Sequence, residues 1–358
     1  MRRRSRILVV LTSLLVLFSF IFVVAGTPVA RATVDDDGPG PSSALDGYGH
    51  QYVFWQDSTT TIGEAYYTGG TWLEYTPIKD ADIGSEPSVV VSPSQSTGGE
   101  NPCAYQFLFW VGNGSDHQLH MAYYGKSGWS GPYDLGMGNM GLNSFAPSAT
   151  VYDYSSNSTA IMVAWIVDNY VEYAYSTNAT DPSSWKGPIK ISNAGPTNAP
   201  APSLTTVPGP NGQPPDENQI NVIYPSLGFE NLEDGIIAAP GATTAKVLNL
   251  GDGPLGSVPT SYSYFGTLGG VGTYTDFSFW QGTSGGIYGM YYTFVNGFNS
   301  GSEEFYAGQL GSTPSVVSDS TGSNVWFYFI CSDDTTLCQY YEDTGKLTNL
   351  GFKIPIPS

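Results

Sequence analysis

The side chains of this chain that could do chemistry are mostly carboxylates, 31 of them against three histidines. Two carboxylates that face each other about 5 to 10 Å apart would suit hydrolysis of a glycosidic bond. Glu64, Glu172, Asp168, Asp234 and Asp276 fall near the ends of predicted strands. The sequence pairs no two of them, and for each one a solvated surface position is the simpler interpretation.

Tryptophan offers a second kind of candidate site. Trp72, Trp129 and Trp185 each follow a turn after a predicted strand. An indole ring has an apolar face and a polar edge, which suits the C–H face of a sugar ring, but the same rings could also pack beneath loops. Side chains of the preceding strands would be lesser contributors to such a site: Tyr67, Tyr124, Glu64, His120 and Glu172.

The sequence predicts no metal and no cofactor. His117 and His120 lie three residues apart on a predicted strand, so they point to opposite faces and do not favour a shared metal. We find no glycine-rich phosphate loop, no serine nucleophile elbow and no zinc-binding helix.

The elements that would position these residues belong to a pattern that recurs six times. Each copy has a proline followed by a small polar residue, then an apolar strand, then a strand that ends near an aromatic anchor. The anchors follow one another at 55, 55, 59, 56 and 49 residues. They are Trp55, Trp110, Trp165, Tyr224, Trp280 and Phe329. The proline steps are Pro41-Ser42, Pro87-Ser88, Pro147-Ser148, Pro202-Ser203, Pro259-Thr260 and Pro314-Ser315.

A period of this length with several short strands in each copy is typical of a β-propeller. We predict an all-β fold, a six-bladed β-propeller with four-stranded antiparallel blades, over residues 41–358. The third strand of a copy usually carries an aliphatic residue and a tyrosine four apart, such as Ile62 and Tyr66, which share one face and are expected to pack between blades. The fourth copy lacks this tyrosine and the following tryptophan, so pockets beside it are expected to be degenerate.

The first residues have the pattern of an export signal. A basic start with Arg2, Arg3, Arg4 and Arg6 precedes an apolar run and the small-residue site Ala30-Arg31-Ala32. We predict a signal peptide over 1–32, a flexible lead-in over 33–40, and a secreted or extracellular protein. Without cleavage the apolar run would be long enough to anchor the chain in a membrane.

The charge of the remaining chain limits its partners. All five arginines precede residue 33, which leaves seven lysines and 31 acidic residues, a formal charge of −24. Such a surface repels nucleic acid and anionic lipid. Because arginine is the residue best suited to bind carboxylates and phosphates, its absence favours a neutral ligand.

Two of the three cysteines are candidates for a disulfide. Cys331 and Cys338 lie on adjacent strands of one predicted hairpin, and an exported protein favours a bond between them, with free thiols as the alternative. For Cys103 a buried small hydrophobe is the simpler interpretation.

The step Phe54-Trp55-Gln56, the strand that ends in Tyr66, the turn to Trp72 and the Pro-Ser step resemble the six-bladed fucose-binding lectins of fungi and bacteria, within the wider sialidase-like propellers. The resemblance covers residues 41–358. It implies sugar sites between neighbouring blades, where an arginine and a glutamate bind hydroxyl groups and an aromatic ring stacks on the sugar. Here no arginine follows residue 33, so other donors would have to replace it, and a sialidase, which needs an arginine triad, is not expected. The segment Ser176–Trp185 is similar to the structural Asp-box turn of sialidases.

We therefore predict a secreted, lectin-like propeller that binds glycans or polysaccharide, specifically neutral carbohydrate, at inter-blade sites without chemistry. The first alternative is a propeller glycoside hydrolase that uses a carboxylate pair. The second is a structural or protein-binding surface propeller.

Overall fold

The computed structural model describes most of the chain after residue 39, and all described residues belong to one compact unit, Asp36–Ser358. The described ranges are 40–46, 48–58, 60–92, 105–113, 116–137, 146–155, 158–194, 201–207, 219–226, 231–252, 255–268, 271–293, 298–299, 301–319, 324–333 and 335–354. The predicted signal peptide, the lead-in before residue 40 and Cys103 lie outside these ranges.

The strands form six antiparallel sheets, each built from one continuous stretch of chain. Blade 1 is β1 (Ser42–Leu45), β2 (Gln51–Ser58), β3 (Thr61–Thr68) and β4 (Thr71–Lys79). Blade 2 is β5 (Ser88–Ser92), β6 (Tyr105–Val111), β7 (Leu119–Gly125) and β8 (Gly128–Asp134). Blade 3 is β9 (Ser148–Ser155), β10 (Ser158–Val167), β11 (Tyr170–Ser176) and β12 (Lys186–Lys190).

The second half of the chain repeats this arrangement. Blade 4 is β13 (Ser203–Val207), β14 (Gln219–Pro225), β15 (Asn231–Ile237) and β16 (Lys246–Asp252). Blade 5 is β17 (Thr260–Leu268), β18 (Val271–Gln281) and β19 (Ile287–Thr293), with an outer strand divided into β20 (Phe298–Asn299) and β21 (Glu303–Tyr306). Blade 6 is β22 (Ser315–Ser318), β23 (Val325–Ile330), β24 (Thr336–Tyr341) and β25 (Lys346–Lys353). The predicted all-β six-bladed propeller is confirmed.

The Pro-Ser steps join the innermost strands of neighbouring blades. The hydroxyl oxygen of Ser42 accepts the backbone N–H of Val89 at 2.9 Å. The hydroxyl of Ser88 accepts the N–H of Ala149 at 3.0 Å. The same bond recurs from Leu204 to Ser148 and from Ser43 to Ser315, each at 2.9 Å. The recurring serine of the repeat therefore stabilises the ring, because its hydroxyl oxygen satisfies a backbone N–H that the neighbouring blade leaves unpaired.

The aromatic anchors and the residues before them connect each blade to both of its neighbours. Adjacent residues of a strand point to opposite faces of the sheet. In blade 1, Trp55 belongs to the core shared with blade 6, whereas Phe54 belongs to the core shared with blade 2. In blade 2, Trp110 faces blade 1 and Phe109 faces blade 3. The same alternation continues around the ring, so that one hydrophobic core lies at each blade interface.

The ring closes between blade 6 and blade 1, and none of the described strands is shared between these two blades. Strand β1 pairs only within blade 1 and β25 only within blade 6. The closure consists of contacts between β1 and β22, including the Ser43–Ser315 hydroxyl pair at 2.7 Å, and of the packing of Tyr328 against blade 1. Closure therefore depends on side chains rather than on a continuous sheet.

Blade 6 also contains a covalent cross-link. Cys331 and Cys338 form a disulfide across the β23–β24 connection, with a Cα–Cα distance of 5.3 Å.

Among the described residues, no helix has the length and apolar character needed to span a membrane.

The inter-blade serine bond yields a first prediction. Ser88→Ala removes the acceptor for the N–H of Ala149 at a site where Ser88 is 8 % exposed, which leaves a buried donor unpaired. We expect a loss of about 1–3 kcal/mol in the free energy of unfolding, measured by chemical denaturation. The matched control is Ser127→Ala in the exposed β7–β8 turn, expected to change stability by less than about 0.5 kcal/mol. Equal effects of the two substitutions would contradict the role given to Ser88.

Candidate functional site

Two of the three candidate tryptophans form half-buried aromatic pairs at blade interfaces. Trp72 lies opposite Tyr67 in the β3–β4 ladder, with ring centroids 5.2 Å apart. Trp129 lies opposite Tyr124 in the β7–β8 ladder, with centroids 5.6 Å apart. Because residues that are opposite in a ladder share a face, both pairs point towards the preceding blade.

Each pair meets an aromatic residue of that preceding blade. Trp72 packs edge-on against Tyr328 of blade 6, at 6.0 Å between centroids. Trp129 packs edge-on against Phe54 of blade 1, at 5.9 Å. Tyr328 and Phe54 hold equivalent positions, directly before the aromatic anchor of their strand. The two interfaces, 6–1 and 1–2, thus present the same aromatic arrangement.

A glycine bulge fixes the strand that follows Trp129. Gly131 has a φ of +116°, and a Cβ there would lie 3.0 Å from Cα of Ala122 on the neighbouring strand. The ladder shifts register at this point. Gly187 takes the same place after Trp185, against Ala174. A side chain at either glycine would push the outer strand away and displace the tryptophan before it.

Trp185 is placed more deeply than the other two rings. It is 8 % exposed and packs edge-on against Phe109 of blade 2 at 5.3 Å. The longer connection before it contains a 3-10 turn, Pro182–Ser184, in which Asp181 accepts the N–H of Ser183 at 3.0 Å. The segment similar to an Asp-box therefore forms a structural turn, and Trp185 offers little surface to a ligand.

A buried polar cluster lies beside Trp72 at interface 6–1. The amide Nε2 of Gln339 donates to Oε1 of Gln51 at 3.0 Å and to the hydroxyl of Tyr328 at 2.8 Å. The Tyr328 hydroxyl also donates to Gln51, and its burial raises the pKa of Tyr328. The sequence analysis missed this cluster. Its signal is a glutamine four residues before the aromatic anchor, present in the first two repeats as Gln51 and Gln106.

Glu64 lies at interface 1–2, not beside the tryptophan of its own blade. It is opposite Phe54 in the ladder and shares its face, which is directed at blade 2. Glu64 is 7 % exposed, and burial raises its pKa to about 7. The structure therefore groups Glu64 with Trp129 and Tyr124 of the next blade.

His120 and Glu172 lie at the other end of their strands. His120 is four residues before Tyr124 on β7, about 13 Å away at the usual rise per residue. Its ring stacks on Trp110 at 5.8 Å, and its Nε2 lies 2.9 Å from Oδ2 of Asp116. Glu172 holds the equivalent position in blade 3, opposite Lys190. Burial raises the pKa of Glu172, Lys190 opposes this rise, and Asp168 adds to it. The structure does not bring these two side chains into the tryptophan clusters.

At interface 3–4 the preceding blade, rather than the following blade, supplies the aromatic ring that fills the space between the two sheets. Tyr173 of blade 3 donates its hydroxyl hydrogen to the carbonyl of Ala242 and accepts the N–H of Gly241, both at 2.8 Å. Its ring is fully buried in the core shared by blades 3 and 4. Tyr173 thus occupies the turn of blade 4, at the place where blades 1, 2 and 3 carry a tryptophan.

Besides Asp168 and Glu172, which interact within blade 3, one further pair of the five singled-out acids comes together in the structure. Asp234 of blade 4 and Asp276 of blade 5 both accept from Nδ2 of Asn221, at 3.3 Å for Asp234. They are 2 % and 3 % exposed. Burial raises the pKa of Asp276 to about 7, and burial together with Asp276 raises that of Asp234.

Within the described ranges, no group of three or more His, Cys, Asp or Glu side chains is arranged to hold a metal ion.

Comparison with solved structures identifies similar folds. The fucose-specific lectin from Aleuria aurantia matches with a TM-score of 0.63 at 16% identity, over 89% of this chain and 96% of that one. AofleA from Arthrobotrys oligospora matches with a TM-score of 0.63 at 11% identity, over 87% of this chain and 85% of that one. The Hadza microbial sialidase Hz136 matches with a TM-score of 0.54 at 11% identity, over 81% of this chain and 62% of that one.

At these identities the matches establish the propeller fold, in agreement with the predicted resemblance. No protein-family model matches the sequence, and the comparison with curated proteins gave no match.

The tyrosine that fills interface 3–4 gives a second prediction. Tyr173→Phe keeps the ring but removes both hydrogen bonds to the blade 4 turn, so we expect the free energy of unfolding to fall by about 1–3 kcal/mol. The control is Tyr170→Phe on the same strand, where the half-buried ring contacts Lys190 and is retained in the variant. Both variants would be compared by thermal and chemical denaturation. A Tyr173→Phe protein as stable as the control would contradict the bracing role of the hydroxyl.

Proposed function

We propose that this protein is a secreted, lectin-like propeller that binds neutral carbohydrate between neighbouring blades and performs no chemistry on it. The observation that carries the proposal is the repeated aromatic arrangement at interfaces 6–1 and 1–2. There Trp72 and Trp129 are half-buried, so part of each ring is available to a ligand while the rest is fixed by packing. Fixed aromatic rings suit the C–H faces of sugars.

Polar groups beside the rings supply the donors and acceptors that sugar hydroxyls need. At interface 6–1 these are the amides of Gln51 and Gln339 and the hydroxyl of Tyr328. At interface 1–2 the half-buried Tyr124 is the more accessible polar side chain, because Glu64 and Gln106 on the same faces are only 7 % and 6 % exposed. Amide and hydroxyl groups would take the place of the arginine that the resemblance implies. A chain without arginine beyond residue 33 is suited to a neutral ligand.

The ligands of proteins with similar folds support the proposed ligand class. The Aleuria aurantia lectin is described as fucose-specific and in complex with Fucα1-6GlcNAc, and SapL1 as a lectin in complex with α-methyl fucoside. A neutral fucosylated or related glycan is therefore the first ligand to test. Two sites on one ring would also raise the avidity for a multivalent polysaccharide.

The glycosidase alternative depends on a carboxylate pair open to substrate and water. Asp234 and Asp276 form a pair, but both are almost fully buried and share an amide donor. This burial favours a structural role for the pair and binding over hydrolysis for the protein.

The binding proposal predicts that each half-buried tryptophan contributes separately. Trp72→Ala and Trp129→Ala should each weaken glycan binding roughly tenfold at their own interface, and the double variant should lose binding in glycan-array and calorimetric measurements. The control is Tyr288→Ala, a half-buried aromatic at the opposite end of the third strand of blade 5. A folded wild-type protein that binds no neutral glycan or polysaccharide would refute the proposal.

The proposal that the protein is secreted is tested at its N-terminus. We expect a host that exports the full sequence to release a protein whose first residue is Thr33, as found by N-terminal sequencing. Retention of residues 1–32 in a membrane fraction would instead show an anchor.

A further inference from the structure

Two positions recur in every blade and are directed at the interfaces with its two neighbours. The first position lies on the third strand of a blade. Its residue is the ladder partner of the residue directly before the aromatic anchor, as Gln339 is the partner of Tyr328. The second position lies on the second strand of the following blade, four residues before the aromatic anchor of that strand, as Gln51 precedes Trp55. At interface 6–1 these are Gln339 and Gln51, and the amide of Gln339 donates to the oxygen of Gln51 at 3.0 Å. This contact, which we call the interface clasp, requires one donor and one acceptor.

At interface 1–2 the same two positions hold Glu64 and Gln106. Glu64 lies opposite Phe54 as Gln339 lies opposite Tyr328. Gln106 lies opposite Tyr124 as Gln51 lies opposite Tyr67. Oε1 of Gln106 is buried and has no hydrogen-bond partner among the described residues. An ionised Glu64 has only acceptors to offer this oxygen, whereas a protonated Glu64 has the donor that Gln339 supplies in the equivalent clasp.

At interface 4–5 the two positions hold Asp234 and Asp276. Asp234 lies opposite Ile223, directly before the anchor Tyr224, and Asp276 lies four residues before the anchor Trp280. Oδ2 of each carboxyl accepts from Asn221, and Ser263 donates to Oδ1 of Asp276. Oδ1 of Asp234 is buried without a described hydrogen-bond partner. Two ionised carboxylates this close, both almost fully buried, would repel each other, so one proton held by the pair is favoured.

We propose that Glu64 and Asp234 are held as neutral acids that donate hydrogen bonds across interfaces 1–2 and 4–5, so that two of the blade interfaces are stabilised by protons. The third polar clasp, Gln339–Gln51, is the neutral reference built from amides. This inference concerns the ring itself and holds whether or not the protein binds sugar.

The surroundings of the acids agree with the proposal. Burial is the cause that raises the pKa of Glu64 to about 7, with no charged side chain contributing; its ladder partners are Phe54 on β2 and Tyr75 on β4. Around the aspartates, β16 contributes Lys246, which lowers the pKa of Asp234 less than burial raises it. The other neighbours carry no charge: Asn221 on β14, Ser263 on β17, Thr205 on β13, and Tyr292 as the β19 ladder partner of Asp276.

The sign of the pH dependence follows from the raised pKa values. The folded chain keeps protons that the unfolded chain releases, so the clasps stabilise the fold fully below about pH 4. The contribution of Glu64 is lost as the pH rises through its pKa of about 7, and that of the aspartate pair as the pH rises through the pKa of Asp276, about 7, and the raised pKa of Asp234. Glu86 adds to the same trend, since burial raises its pKa to about 8, and it is common to every variant below.

The test compares denaturation midpoints between pH 4.5 and 8 for the wild type, Glu64→Gln and Asp234→Asn. We expect the wild-type midpoint to fall as the pH rises and each variant to show a flatter profile. The Glu64 contribution to the folding equilibrium constant should change by up to roughly a hundredfold, because each pKa unit corresponds to a factor of ten. Glu74→Gln removes the same charge from an exposed position of β4 and controls for the overall negative charge.

The reverse substitution gives an independent test. Gln339→Glu places an acid in the neutral clasp and should make the pH profile steeper than that of the wild type. Profiles of Glu64→Gln and Asp234→Asn as steep as that of Glu74→Gln would overturn the proposal. Should one variant fail to fold, the infrared absorption of protonated carboxyl groups at pH 6 is compared between the wild type and the other variant, so that the shared contribution of Glu86 cancels; an absorption as strong in that variant as in the wild type would overturn the proposal.

Discussion

The structure depends on one constraint: both faces of every blade must be covered, and only neighbouring blades can cover them. A free sheet of four strands has two faces, and a chain this rich in aromatic and β-branched residues cannot leave either of them in water. The Phe-Trp step meets this constraint with two consecutive residues, because their side chains point to opposite faces. Phe54 and Trp55 thereby belong to two different cores. Repeated around the ring, this step makes each blade a part of the environment that folds its neighbours.

The same constraint explains why polar residues at the interfaces are few and paired. A group that faces the next blade is removed from water, so it needs a partner supplied by that blade. Gln339 finds Gln51, and Asp234 finds Asp276 through Asn221. Interface 1–2 has Glu64 and Gln106 at these two positions, and the other three interfaces have apolar or aromatic residues there, as with Tyr173 at interface 3–4. Chemistry can therefore vary from interface to interface while the backbone stays constant.

Much of the fold could be predicted from the sequence because its signals are local and recurrent. The Pro-Ser step, the aromatic anchor and the third strand each repeat at a nearly fixed interval. The candidate site was less predictable because it joins residues of different repeats. Glu64 seemed to belong with Trp72 along the chain, yet the period-2 geometry of β3 directs it to Trp129. Asp234 and Asp276 are 42 residues apart, and only the blade order brings them together. Nor does spacing reveal that the longer turn before Trp185 buries this ring more deeply than Trp129.

The closure of the ring has a further consequence. Since no described strand is shared between blade 6 and blade 1, the described propeller is an open series of six sheets. The strength of the 6–1 seam therefore comes from the hydrogen bonds of Ser43, Ser315, Gln51 and Gln339 and from the apolar and aromatic packing of Trp55 and Trp72 against blade 6. The disulfide Cys331–Cys338 lies in the blade that borders this seam. In mechanical terms the described propeller is a split ring: a connecting segment of chain links neighbouring blades at five interfaces, whereas blades 6 and 1 are held together without such a link among the described residues.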